Sequence, residues 1–180
     1  MIFKKIPLEG NAYVIEIEQH NDFRGFFART VCRDEFKRFG LSFEFEQQSI
    51  SFNPKAGTLR GMHWQAAPYA EDKLVRATRG SIFDVIVDIR ADSKTYKKWH
   101  AVELSEHNRR QIYIPKGFAH GFQTLEADTE VLYEMTTPYH PEASRGFVWN
   151  DPLINIQWPE SQDRVIGVRD SQLLMFKGAE

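Results

Sequence analysis

Ile82-Phe83-Asp84-Val85-Ile86-Val87-Asp88-Ile89 alternates with a period of two. Phe83, Val85, Val87 and Ile89 fall on one face; Ile82, Asp84, Ile86 and Asp88 fall on the other. This is the pattern of a β-strand with one fully apolar side. Working outward, similar short runs occur at Tyr13–Glu18, Gly25–Val31, Lys73–Thr78, Trp99–Leu104, Gln111–Pro115, Gly121–Leu125 and Glu130–Thr136. Turn residues separate them, among them Arg79-Gly80, Ala91-Asp92-Ser93, Glu106-His107-Asn108 and Ala127-Asp128. Helix is scarce. Arg33–Gly40 reads as a short amphipathic helix, with Phe36 and Phe39 on one side and Gly40 beyond its end. The last thirty residues read as loops and turns, with one strand at Val165–Val168. The spacing predicts a single all-β domain over residues 1–180: an antiparallel jelly roll with short helices and an irregular C-terminal segment.

The chain has 180 residues, 42% of them hydrophobic and 27% charged, enough apolar side chain for a core and too much for intrinsic disorder. Twenty-three Lys and Arg against 25 Asp and Glu leave a formal charge of −2. No global basic field draws the protein to nucleic acid or an anionic membrane, and neither partner is expected. The single cysteine, Cys32, cannot form an internal disulfide, and no apolar run approaches a membrane span. A reducing, cytoplasmic setting is the expectation. Fourteen Phe, six Tyr and four Trp fit a protein that needs large, flat apolar surfaces.

Two segments gather unusual chemistry. Gly57-Thr58-Leu59-Arg60-Gly61-Met62-His63-Trp64 places Arg60 and His63 among glycines, which allow a ligand close to the backbone. Ile114-Pro115-Lys116-Gly117-Phe118-Ala119-His120-Gly121-Phe122 carries the second histidine. A lone histidine in a strand is as often a half-buried structural residue, and two such segments in one sheet lower those odds. Pro115-x-Gly117-x-x-His120 resembles the second conserved box of the cupin jelly rolls, the double-stranded β-helix fold. Metal-binding cupins also carry two histidines one residue apart in a first box, and here the position two after His63 is Gln65. A metal site needs three or four convergent ligands. The sequence presents no such cluster, so neither metal nor cofactor is expected.

The chain more closely resembles the dTDP-4-dehydrorhamnose 3,5-epimerase family of nucleotide-sugar epimerases. The likeness runs from about Asp22 to Asp170 and includes Asp22-Phe23-Arg24-Gly25-Phe26-Phe27, Leu59–Gln65, Lys73-Leu74-Val75-Arg76, Phe83–Arg90, Ile114–Phe122, Leu132-Tyr133 and Arg145–Pro152. The resemblance implies a nucleoside-diphosphate sugar substrate with a C4 ketone, inverted at C3, C5 or both. A proton leaves a carbon beside the ketone on one face and is replaced from the other. His63 matches the general base and Asp170 the carboxylate that orients it; Tyr133 matches the acid on the opposite face. Lys73 matches the cation beside the oxygen where enolate charge develops. Arg60 and Arg24 suit diphosphate recognition because guanidinium forks onto phosphate oxygens. Gln48, His120 and Arg169 match further substrate contacts, and Phe27 and Tyr139 the aromatic surfaces for the base. Family members are homodimers in which N-terminal strands cross, which implies that residues near His20 to Arg29 serve the neighbour's nucleotide site.

The sequence departs from the family at Ser49-Ile50, where an acidic residue and Asn are usual, at His20 in place of an aromatic, and at Arg29 in place of a Glu. An arginine only donates, so Arg29 suits a base edge made of acceptors, and the nucleobase need not be thymine. Two other functions compete: a metal-dependent cupin enzyme, which requires ligands the sequence does not present, and a sugar-binding jelly roll without catalysis, which has no need of His63, Asp170 and Tyr133 together.

Overall fold

The computed structural model describes residues 1–178. In chain order its strands are β1 (Ile2–Lys5), β2 (Tyr13–Glu16), β3 (Gln19–Asp22), β4 (Gly25–Ala28), β5 (Gln47–Asn53), β6 (Thr58–Gln65) and β7 (Lys73–Arg79). They continue as β8 (Ser81–Asp88), β9 (Trp99–Ser105), β10 (Gln111–Ile114), β11 (Phe118–Thr124), β12 (Thr129–Met135), β13 (Ser144–Gly146) and β14 (Val165–Ile166). Two short helices, α1 (Arg33–Arg38) and α2 (Val168–Ser171), complete the described regular elements, apart from a 3₁₀ turn at Pro141–Ala143. None of the described helices is long and apolar enough to cross a membrane.

Two sheets form the body. The first has the order β1-β2-β10-β7-β12-β5; the second runs β13-β6-β11-β8-β9, with β14 parallel to one end of β6. All other pairings are antiparallel, as the many short strands and tight turns dictate. Strands β3 and β4 form a separate hairpin. Apart from β1-β2 and β8-β9, neighbours within the two sheets are not consecutive in the chain, which makes this a jelly roll rather than a meander.

The alternation in β8 explains how the layers stack. Its Ile82 and Ile86 enter the core between the sheets, with Val14, Val75, Ile112 and Val131 from the first sheet and Phe118 and Phe122 from β11. Val85, Val87 and Ile89 point to the other side, where Phe147, Ile154, Ile156 and Phe176 cover them. The irregular C-terminal stretch is therefore a lid over the second sheet, and it makes both faces of β8 interior. On the outer face of the first sheet, α1 inserts fully buried Phe36 against Ile15, Leu74 and Tyr113. Burial of a Phe of this kind contributes roughly 1.5–3 kcal/mol.

The expected strands lie where the periodicity places them, with ends displaced by a few residues. The strand expected at Val165–Val168 stops at Ile166, because the next residues coil into α2. The one expected at Gly25–Val31 stops at Ala28; beyond it, the Thr30 carbonyl accepts from Gln111. Strand β5 was not anticipated: its alternation reads Gln47, Ser49, Ser51, Asn53 on one face and Gln48, Ile50, Phe52 on the other, a polar face inward.

Candidate active site

A cavity of about 800 Å³ opens between the two sheets. Strand β6 supplies Arg60, His63 and Gln65 to it. Residues three apart in a regular strand face opposite ways, so Arg60 and His63 need an irregularity to share one wall. The ladder provides it. His120 pairs with His63 and Phe122 with Arg60, so three steps on β6 oppose two on β11. The bulge sits at Gly61-Met62, where Gly61 has φ of +116° and a Cβ built on it would lie 2.7 Å from Gly121 Cα. Glycine at both positions brings the strands together, and Met62 turns to the other side of the sheet, among Val85, Phe147 and Phe176. The glycines thus serve strand-to-strand approach, in place of the ligand approach expected from sequence.

His63 is half-buried, and its Nε2 lies 2.7 Å from Asp170 Oδ1. The other oxygen of Asp170 accepts the Gly61 N–H at 3.0 Å. Burial pushes the Asp170 carboxyl up, but the bonds from His63 and Gly61 outweigh it and hold the group below its ordinary value. Asp170 reaches the strand from α2, and the backing residue Gly146 of β13 pairs with His63. Beside it, buried His120 meets Asp84 Oδ2 at 2.7 Å, and Asp84 is fully buried.

The first sheet faces this wall with Lys73 and Tyr133. The Tyr133 ring stands edge-on to His120 at 5.9 Å between centroids. Burial, reinforced by the Asp84 carboxylate and only partly offset by Arg60, keeps the phenol well above the ordinary tyrosine range, hence protonated. Lys73 pairs with Glu71, a buried carboxylate that also accepts from Gln65. At the mouth, Arg169 donates to Ser144 Oγ at 2.7 Å and to the Tyr139 hydroxyl at 3.5 Å. Arg60 is aimed by Asn53, whose Oδ1 accepts its Nε–H at 2.8 Å. The wall thus offers a histidine–carboxylate pair, a protonated phenol opposite it, a lysine, and two guanidiniums for an anionic group. That set can remove and return a proton on carbon while stabilising an oxyanion.

Of the sequence-predicted residues, the cavity gathers His63, Asp170, Tyr133, Lys73, Arg60, His120, Tyr139 and Arg169. Four others lie elsewhere. Gln48 faces out and donates to Glu134 at 2.8 Å, while its neighbour Gln47 lines the cavity, as side chains that alternate along a strand require. Arg24 folds back on Asp22, and Phe27 is 77% exposed on the β3–β4 hairpin. Arg29 donates to Glu35 of α1 at 2.9 Å, so its guanidinium is turned away from this chain's cavity. Sequence reading passed over Gln47, Glu71 and Asp84; for Asp84, its place among the apolar residues of β8 was the available signal. Gln65, standing where a metal-binding cupin has histidine, holds Glu71 and the Pro138 carbonyl. Among the described residues no three His, Cys, Asp or Glu stand together as a metal-binding group.

With this geometry in hand, comparison with known proteins is informative. The sequence model of the dTDP-4-dehydrorhamnose 3,5-epimerase family matches residues 5–178. A dTDP-4-dehydrorhamnose 3,5-epimerase of Sinorhizobium fredii (strain NBRC 101917 / NGR234) is 43% identical over 171 residues, covering 95% of this chain and 87% of that protein. The Escherichia coli (strain K12) enzyme of the same name is 42% identical over 161 residues, 89% and 86% of the two chains. Among solved structures, dTDP-6-deoxy-D-glucose-3,5-epimerase from Legionella pneumophila Philadelphia 1, in complex with dTDP-4-keto-L-rhamnose, superposes with a TM-score of 0.90 at 34% identity, over 97% and 92% of the chains. A 3′-monoepimerase from Streptomyces bikiniensis in complex with dTDP-quinovose gives 0.88 at 26% identity, over 96% and 86%.

Proposed function

This chain belongs to the dTDP-4-dehydrorhamnose 3,5-epimerase family, and on that premise we propose how its cavity performs the epimerisation. The protein is an isomerase acting on a dTDP-linked 4-keto-6-deoxy sugar. The observation that carries the proposed roles is the placement of His63–Asp170 on one sheet and Tyr133 on the other, facing a single cavity.

A C–H bond beside a ketone becomes acidic because the resulting charge spreads onto the carbonyl oxygen. His63 takes that proton at the ring nitrogen turned to the substrate, while Asp170 holds Nε2 and stabilises the imidazolium that forms. Such a base contributes about 10²–10⁴-fold. Lys73, with His120 nearby, meets the developing enolate oxygen, an electrostatic contribution realised chiefly in the transition state. Tyr133, protonated and on the opposite wall, delivers a proton to the other face of the carbon and inverts it. Arg60 and Arg169 take the diphosphate, and Tyr139 supplies an aromatic surface at the mouth. Repetition on the second flanking carbon gives inversion at both C3 and C5, which is the activity that the 42–43% identical relatives are named for.

The hairpin residues find their use in a second copy. Phe23 and Phe27 on the hairpin are 97% and 77% exposed, and Ile50 and Phe52 of β5 also face outward; exposed large apolar side chains in such number suit a contact with another protein surface. We propose a homodimer in which Arg24 and Phe27 of one copy complete the nucleotide pocket of the other, with the whole chain acting as one epimerase domain in the cytoplasm. Incubation with a dTDP-4-keto-6-deoxy sugar in D₂O, followed by NMR, tests the chemistry: deuterium enters C3 and C5. Absence of label at both carbons refutes the reading, and label at one alone reduces it to a monoepimerase.

A further inference from the structure

We propose that Glu71 is a positioning residue for Lys73, tying the cation to the strand that carries the base; this rests on the epimerase reading given above. Glu71 is 8% exposed although it carries a carboxylate, and a buried carboxylate needs satisfied partners. One oxygen meets Lys73 Nζ and the other accepts from Gln65 Nε2. Gln65 is itself fixed. Its Nε2 also faces the carbonyls of Tyr69 at 3.0 Å and Pro138 at 3.2 Å, and its Oε1 accepts the His140 N–H at 2.6 Å. The ring of His140 stacks on Tyr69 at 3.7 Å, which steadies that loop.

Lysine ends in a compact charge on a flexible four-carbon stem, so its own packing fixes the ammonium poorly. Glu71 removes that freedom. The ammonium has three N–H donors. One is taken by the carboxylate, and the others lie at the cavity wall, which Lys73 lines. Gln65 lies two residues after His63 on β6 and faces the same cavity. The chain of contacts Gln65–Glu71–Lys73 thereby sets the cation relative to the base from a single strand. Preorganisation of this kind stabilises the enolate without reorganisation during turnover.

The experiment compares native protein, Glu71→Gln, Lys73→Met and the double variant, by deuterium exchange into a dTDP-4-keto-6-deoxy sugar. Glu71→Gln keeps the shape and the Gln65 bond but removes the charge. The expected result is a fall in kcat of about 10-fold with KM for the nucleotide sugar unchanged, since misplacement of one group acts on the reacting geometry. In the Lys73→Met background the same change has no further effect. An equal loss in both backgrounds, or undiminished turnover of Glu71→Gln, overturns the inference alone. A native protein that exchanges no deuterium overturns the epimerase reading and the inference with it. Should Glu71→Gln fail to fold, Glu71→Asp retains the charge but draws it back by one methylene, and a loss of kcat that depends on Lys73 is again the supporting outcome; indifference overturns it.

Discussion

His63 and His120 stand directly opposite each other across β6 and β11, and the Nε2 of each meets its own carboxylate at 2.7 Å, Asp170 for one and Asp84 for the other. The two pairs differ in exposure. The His63 side chain is 36% exposed to the cavity, while His120 is 5% exposed at its floor. A proton acceptor must reach substrate and exchange with solvent, so the exposed pair is the one assigned as base.

His63→Ala should abolish exchange at both carbons, because proton removal begins every turnover. Asp170→Asn keeps the size but loses the charge that balances imidazolium, and its exchange rate should fall by about 10²-fold or more. Deuterium uptake followed by NMR measures both, with circular dichroism confirming the fold. Wild-type exchange in His63→Ala refutes the assignment of the base.

Tyr133→Phe separates two events that are joined in the native protein. The base remains, so washout of substrate protons should continue. The opposite-face donor is gone, so formation of inverted sugar should drop far more than exchange does. The ratio of label uptake to product formation is the quantity to measure; an unaltered ratio assigns the acid elsewhere.

Acid stability should follow Asp88. Its buried carboxylate accepts from Arg90 Nε at 2.9 Å and Nη2 at 2.7 Å, and from Thr95 Oγ1 at 2.6 Å; Ser93 adds a further bond. Burial alone would raise the group, yet the donors prevail and hold it below the ordinary 3.8. A depressed value stabilises the fold fully above that ordinary value, and the contribution disappears as pH falls through the lower, folded one. Asp88→Ala should therefore cost about 3–5 kcal/mol near neutral pH, since Arg90 loses its partner. Urea unfolding at pH 7 and pH 2.5 should show the difference between native and variant shrinking at the lower pH.

Spacing at the bulge offers a separate check. A Cβ on Gly121 would lie 2.6 Å from Met62 Sδ and 2.8 Å from the Arg60 carbonyl oxygen. Gly121→Ala should push β6 from β11, lower the melting temperature and reduce kcat together, because Arg60 and His63 share one wall through this contact. A variant with native stability and native turnover would show that the close approach is dispensable.

Assembly is testable without substrate. Sedimentation should give a species of twice 21.0 kDa, and replacing Phe23 and Phe27 by Ser should weaken it. A native chain that stays monomeric at micromolar concentration removes the proposed sharing of the hairpin.

Much of this was legible in the residues. The alternation of β8 announced a strand interior on both sides once a cover was available, and the glycine-flanked segments around His63 and His120 marked one wall. Parity was harder. Gln47 and Gln48 are adjacent and identical, and only the register with β12 decides which faces inward. Glu71 looks like any acidic residue before a lysine until Gln65 is seen to bury it. The four-residue α2 is too short to show periodicity, so Asp170 was recognisable by resemblance and not by pattern. Arg24 and Phe27 lie on an exposed hairpin and Arg29 just beyond it is held by Glu35 of α1, so none of the three lines this chain's cavity.

The His63–Asp170 bond joins residues 107 positions apart. Every strand of the two-sheet body except β14 ends before residue 165, and the buried core between the sheets draws on no residue later than Val131, whereas the carboxylate that orients the base comes from α2. On the roles proposed above, a chain cut just before α2 should keep the core between the sheets and lose most of its turnover. Spectroscopic measures of β-content and measurements of turnover would thus report on different stretches of the chain.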